Sequence, residues 1–96
     1  MFTVIISEPA QAEFEDAYLW YEIKRTGLGD DLALCFDEAI GILKRNPNFQ
    51  IRHKSLRTLR VKRFPYKLVF QIVNDTEVII ESFFHTSKNP LTWISE

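Results

Sequence analysis

Hydrophobic periodicity changes once along this chain, and the change sets the architecture open to it. Through residue 45 the large apolar side chains recur every three or four positions, whereas from about Leu56 they alternate with polar ones. The first spacing gives a helix one buried face, and the second gives a strand one buried side. Ahead of both, Thr3-Val4-Ile5-Ile6 is a β-branched run of strand character. Ser7 fits a helix N-cap, with Glu8 in the first turn and Pro9 still early enough to be tolerated. Ala10, Phe14, Ala17 and Tyr21 then mark one helical face, with Glu13, Glu15, Asp16 and Glu22 on the other sides. Gly27-Leu28-Gly29 ends that element, and Asp30 or Asp31 is placed to cap a second helix. Leu32, Phe36, Ile40 and Leu43, with Ala39 beside them, form its apolar stripe, and Asn46-Pro47 stops it. A short glycine-containing link makes the pair an antiparallel αα-hairpin.

In the second half, Leu59 and Val61 alternate with Thr58, Arg60 and Lys62. Pro65 marks a turn or a strand edge, because it has no N–H for a ladder. Tyr66, Leu68, Phe70 and Ile72 share one face of the next strand, opposite Lys67, Val69, Gln71 and Val73. Asn74-Asp75-Thr76 is a tight turn, and Val78, Ile80 and Phe84 are the expected apolar face of the last strand. Short turns make an antiparallel three-stranded meander the expected arrangement. The fold class is therefore α+β: an N-terminal strand, the αα-hairpin, the meander with the hairpin on one sheet face, and a helical turn at Pro90–Trp93. The other, more open face is expected to carry Arg60, Lys62, Lys67, Gln71, Glu81 and His85 among Val69, Ile79 and Phe83.

Ninety-six residues suit one domain, 1–96, and a chain 46% apolar and 26% charged is not of disordered composition. No apolar run reaches the ~18 residues needed to span a bilayer, so no membrane partner is expected. The N-terminus lacks the basic start and long apolar run of a secretory signal, and the single Cys35 forms no internal disulfide. These features point to the cytoplasm. No metal or cofactor is expected, since Cys35, His53 and His85 lack ligand spacing and the glycines form no phosphate loop. Asp30-Asp31 and Asp37-Glu38 read as helix-capping and solvated residues, and Cys35 as a packing residue.

Charge is segregated. Residues 52–67 hold Arg52, Lys54, Arg57, Arg60, Lys62, Arg63 and Lys67 and no acid. These are seven positive charges in a chain of formal net charge −1, so the other residues together carry −8. Such a segment suits phosphates or an acidic protein segment. Phe83 is the one evident stacking aromatic, which favours a protein partner or a backbone-only contact. His85 either ties the terminal segment down or exchanges a proton beside Arg60, Lys62 or Lys67.

Several fragments in order resemble one family: Trp20-Tyr21-Glu22, Gly27-Leu28-Gly29-Asp30-Asp31-Leu32 with Phe36, Asn46-Pro47-Asn48, Arg60 through Phe70 around Phe64-Pro65-Tyr66, and His85-x-x-Lys88-x-Pro90-x-x-Trp93. The chain resembles toxins of the RelE/ParE superfamily, often labelled plasmid stabilisation proteins, and lies closer to the ParE side. The resemblance implies the strand–hairpin–meander fold and a growth-inhibiting toxin of a type II toxin–antitoxin module. It implies a cognate antitoxin as partner, DNA gyrase as target, and operator DNA contacted only through the antitoxin. The implied target-binding residues are Arg57, Arg60, Lys62, Arg63, Lys67 and Lys88. Lys88 stands where the family commonly has Arg, and lysine does not reproduce arginine's bidentate contact. Two alternatives remain open. One is a RelE-like endoribonuclease cutting ribosome-bound mRNA, with His85 as acid or base and Arg60, Lys62 and Lys67 on the phosphate. The other is a non-toxic antitoxin-binding co-repressor.

Overall fold

Ser7 organises the first third of the chain. In the computed structural model, which describes residues 1–49 and 51–86, it caps α1 (Glu8–Lys24) by accepting the Ala10 N–H at 3.3 Å, with Pro9 in the first turn. Its hydroxyl donates to the Glu81 carbonyl at 3.2 Å and its N–H to the Ile80 carbonyl at 3.0 Å. One residue thus ends β1 (Thr3–Ile6), starts α1 and fastens both to the last strand.

The start of α2 (Leu28–Arg45) differs from the sequence expectation. Asp30 and Asp31 are already inside the helix, where they face its positive N-terminal end. The cap position is Gly27, at φ 92°, which has no side chain to offer. The missing acceptor comes from α1: the Glu22 carboxylate receives the Gly27 N–H at 3.0 Å and the Gly29 N–H at 2.8 Å. This cross-helix cap needs close approach, and Gly29 provides it. A Cβ there would stand 2.7 Å from the Tyr18 carbonyl oxygen. Gly41 lies in the same helix, with nothing nearer than 3.7 Å to an added Cβ. Gly29→Ala is therefore expected to cost about 1–3 kcal/mol. Gly41→Ala should instead stabilise by about 0.5–1 kcal/mol. Urea unfolding of the two variants checks the contrast, and equal effects would contradict the helix–helix approach.

Four further strands follow: β2 (Ile51–His53), β3 (Leu56–Arg60), β4 (Tyr66–Ile72) and β5 (Glu77–His85). Strands β3, β4 and β5 form the expected antiparallel meander, and β2 adds an unforeseen short strand beside β3. The sheet order is β1-β5-β4-β3-β2, with β1 parallel to β5 along Thr3–Ile6 against Glu77–Ile80. The β1 strand therefore covers only the first part of the β5 edge. Beyond it the Phe83 N–H turns outward to the Glu13 carboxylate of α1, at 2.9 Å. The αα-hairpin covers one sheet face and shares a core with Leu68, Phe70, Val78, Ile80 and Phe83. Full burial of side chains such as Phe70, Leu32 and Leu43 contributes roughly 1.5–3 kcal/mol each.

Register within β5 overturns part of the expected face assignment. Val69 pairs with Ser82, whereas Phe70 pairs with Ile80, so Glu81 is an extra residue without a partner opposite it. This bulge reverses the alternation beyond it. Phe83 and His85, expected on the open face, join the helix-covered side, and Phe84 takes the other side. Phe83 is 2% exposed, stacked on Tyr66 at 4.4 Å and edge-on to Phe14 and Phe36. The second face is also less open than alternation suggests, since Val69 and Phe84 are buried on it. Lys88 and the helical turn expected at Pro90–Trp93 lie outside the described residues.

Candidate functional site

Among the described side chains, the basic residues of this segment do not all share one surface. Arg57 belongs to the core-facing side of β3, where its Nε donates to the Phe49 carbonyl at 3.0 Å and holds the chain after α2. Lys62 and Arg63 sit in the β3–β4 turn and lean toward α2, with Lys62 4.0 Å from Glu38 and Arg63 3.8 Å from Asp31. Arg63 adopts the left-handed conformation (φ 71°) and its guanidinium lies over the Phe64 ring. The Phe64-Pro65-Tyr66 segment is built into the structure. Phe64 is buried edge-on to Tyr21 at 5.1 Å, and the Pro65 carbonyl accepts the Thr86 N–H at 2.8 Å.

Arg60 and Lys67 remain on the face away from the helices. They are directly opposite each other in the β3–β4 ladder. Like charges so placed destabilise a sheet by roughly 0.2–1 kcal/mol. Arg60 is exposed and has no ion pair among the described residues, and the Lys67 ammonium lies 5.8 Å from the Phe84 ring centre. The pair forms a cationic rung able to meet phosphate or carboxylate.

His85 is not part of that rung. It lies on the opposite sheet face, edge-on to Tyr66 at 4.9 Å, in a groove of about 350 Å³ between α1 and the end of β5. Trp20, Tyr21, Tyr66 and Phe83 supply aromatic walls, and Glu13 and Asp16 supply carboxylates. The structure thus separates His85 from Arg60 and Lys67, and places it in a groove whose two carboxylates disfavour a phosphate. Sequence reasoning missed the groove because it placed Glu13 and Asp16 only on the sides of α1 away from its apolar face, without a neighbouring strand beside them. The available signal was a second stripe, Glu13, Asp16 and Trp20, at spacings of three and four. Among the described residues, no three His, Cys, Asp or Glu side chains gather to hold a metal ion, and no helix is long and apolar enough to cross a membrane.

Comparison with known proteins adds the family. The model of the ParE toxin of the type II toxin–antitoxin system parDE matches residues 4–90. The chain belongs to the ParE toxin family. A solved structure described as the chromosomal ParDE toxin–antitoxin system from P. aeruginosa has a similar fold, with a TM-score of 0.77 at 17% identity over 91% of this chain and 98% of that one. No curated protein matches by sequence.

All three tyrosines of this ParE-family toxin are held above their ordinary pKa of 10. Tyr18 donates to Asp30 at 2.7 Å, which opposes phenolate formation, while burial raises Tyr21 and Tyr66. A raised folded-state value means the native state holds its proton more tightly than the unfolded chain does. The contribution to stability is complete below pH 10 and is lost as pH rises through the folded values. Urea midpoints should therefore fall as the pH rises above about 10, less steeply in Tyr66→Phe, and a slope unchanged by that substitution would contradict the assignment.

Proposed function

We propose that this ParE-family toxin arrests growth by acting on DNA gyrase, and that a cognate antitoxin neutralises it by covering its surface. The observation that carries the reading is the family match over residues 4–90. The Arg60–Lys67 rung supports it as the face that meets the target, because Arg60 is exposed there and an anionic or acidic surface complements the positive charge. The rung supplies charge and direction, and the target supplies the counter-charge. The chain acts in the cytoplasm and reaches operator DNA only through the antitoxin. The endoribonuclease reading has less support, because its candidate acid–base group, His85, lies beside Glu13 and Asp16 and across the sheet from Arg60 and Lys67.

The test is tightly regulated induction, with viable counts taken with and without the neighbouring reading frame, followed by gyrase supercoiling with the purified chain. Loss of viability that the neighbour reverses, with supercoiling inhibited in vitro, is the expected result. Normal growth with folded protein in the cells would overturn the toxic reading and favour an antitoxin-binding co-repressor. Killing with unimpaired gyrase and cut messages would overturn the target.

A further inference from the structure

Charge is segregated in this molecule in two directions. Helix α1 carries five carboxylates against one lysine, so it is acidic where the segment 52–67 is basic. Its acids are not spread evenly over solvent. Glu13 and Asp16 lie along the groove beside β5, on the same flank as Trp20. One oxygen of Glu13, Oε1, accepts both the Phe83 N–H at 2.9 Å and the Ser82 hydroxyl at 3.0 Å. That fixes the carboxylate at the strand edge and leaves Oε2 to face other groups. Asp16 is exposed and makes no ion pair among the described residues.

The walls of the groove are aromatic. Ring faces carry negative potential and attract cations, indole most strongly. Trp20 already does so within the molecule, holding the Lys24 ammonium 4.9 Å from its ring centre. The indole is nonetheless 55% exposed, and it continues outward into Leu19 and Ile23, which are 57% and 83% exposed. Together these residues form an apolar strip along α1, beside a recess with two carboxylates. An isolated hydrophobic patch would suit many partners, but an aromatic recess flanked by one fixed and one exposed carboxylate selects a cation carried on an apolar support.

We infer that the groove between α1 and the end of β5 is a docking site for a basic side chain, arginine above all, presented by an apolar segment of a partner protein. The guanidinium lies against the Trp20 and Tyr66 rings with its N–H groups toward Glu13 and Asp16, while the apolar residues around it cover Leu19 and Ile23. Arginine is favoured over lysine because a planar guanidinium both stacks on rings and presents several donors to carboxylates. The inference rests on the proposed function only for the identity of the partner, the antitoxin. The chemistry of the pocket is independent of it.

The test uses the full chain and Nα-acetyl-arginine methylamide as probe, followed by NMR. The expected shifts centre on the Trp20 indole N–H and the backbone of Phe83 and His85, with the Arg60–Lys67 face unmoved. The uncharged citrulline analogue should bind about 10-fold more weakly. Glu13→Gln with Asp16→Asn keeps an acceptor for the Phe83 N–H, and Trp20→Ala alters an exposed side chain, so both variants should stay folded while losing about 10-fold in affinity. Equal binding of citrulline, or affinity untouched in the folded variants, would overturn the site. So would a gain in affinity on Lys88→Gln, which would assign the pocket to this chain's own lysine. Growth assays separate the two ideas. Probe binding without toxicity would sustain the pocket and sink the toxin reading. Toxicity that the antitoxin relieves equally in wild type, Trp20→Ala and the Glu13→Gln, Asp16→Asn variant would sustain the toxin reading and overturn the antitoxin as the pocket's occupant.

Discussion

Cells induced for Arg60→Glu are expected to grow as uninduced cells do, although the variant should be slightly more stable than the wild type. Arg60 faces Lys67 across the β3–β4 ladder. A glutamate at position 60 turns a repulsive rung into an attractive one, a gain of roughly 0.2–1 kcal/mol. The same change confronts the target with the wrong charge, which costs several kcal/mol at an interface and should weaken target binding by about 100-fold or more. Viable counts and a thermal melt, measured on one preparation, check both signs. Lys62→Ala and Arg63→Ala are the controls. Their exposed ion pairs to Glu38 and Asp31 contribute about 0–1 kcal/mol, and toxicity should persist. Toxicity retained in Arg60→Glu but lost in the turn variants would move the active surface from the sheet to the β3–β4 turn.

Phe83→Ala should destabilise the protein by about 3–5 kcal/mol, a large part of the ~5–15 kcal/mol that holds a typical domain together. The ring is enclosed by Phe14, Phe36 and Tyr66, at centroid distances of 5.5, 5.4 and 4.4 Å. Its removal leaves a cavity under α1 that those neighbours fill only in part. For a chain of this size the melting temperature should drop by about 15–30 °C. Ser82→Ala, one position away, loses a single exposed hydrogen bond to Glu13 and should cost about 1 kcal/mol or less. If Phe83→Ala costs less than Ser82→Ala, the bulge at Glu81 is misplaced and the strand alternates as its sequence suggests.

Local signals carried much of the fold. Ser7 and Pro9 at the start of α1, the helical stripe from Leu32 to Leu43, Asn46-Pro47 after α2, and the alternation from Leu59 to Ile72 all act over one to four residues. Spacing alone reveals them. The family was legible for a related reason, since its fragments are short and keep their order. The signals that failed are those in which the deciding partner is distant. Asp30 and Asp31 looked like caps, but the carboxylate that closes α2 is Glu22 of the other helix. The short β2 strand, and the parallel seat of β1 beside β5, depend on strands far along the chain.

The sites divide along the same line. From the sequence alone come the helix–helix–meander order, the concentration of positive charge in residues 52–67, and membership of a recognisable group of toxins. The tertiary structure decided where those charges point. Arg57 holds the loop after α2, Lys62 and Arg63 lie within 4.0 Å of carboxylates on α2, and Arg60 and Lys67 face each other across the β3–β4 ladder. It also decided that His85 shares a groove with Glu13 and Asp16 rather than a face with the cations. The physical reason is the period of two in a strand. A single extra residue, Glu81, held where Ser7 grips its carbonyl and Glu13 takes the Phe83 N–H, turns every later side chain to the other face. Hydrophobicity could not choose between Phe83 and Phe84, which are chemically identical neighbours. Contacts with the N-terminal end of α1, some seventy residues earlier in the chain, made that choice.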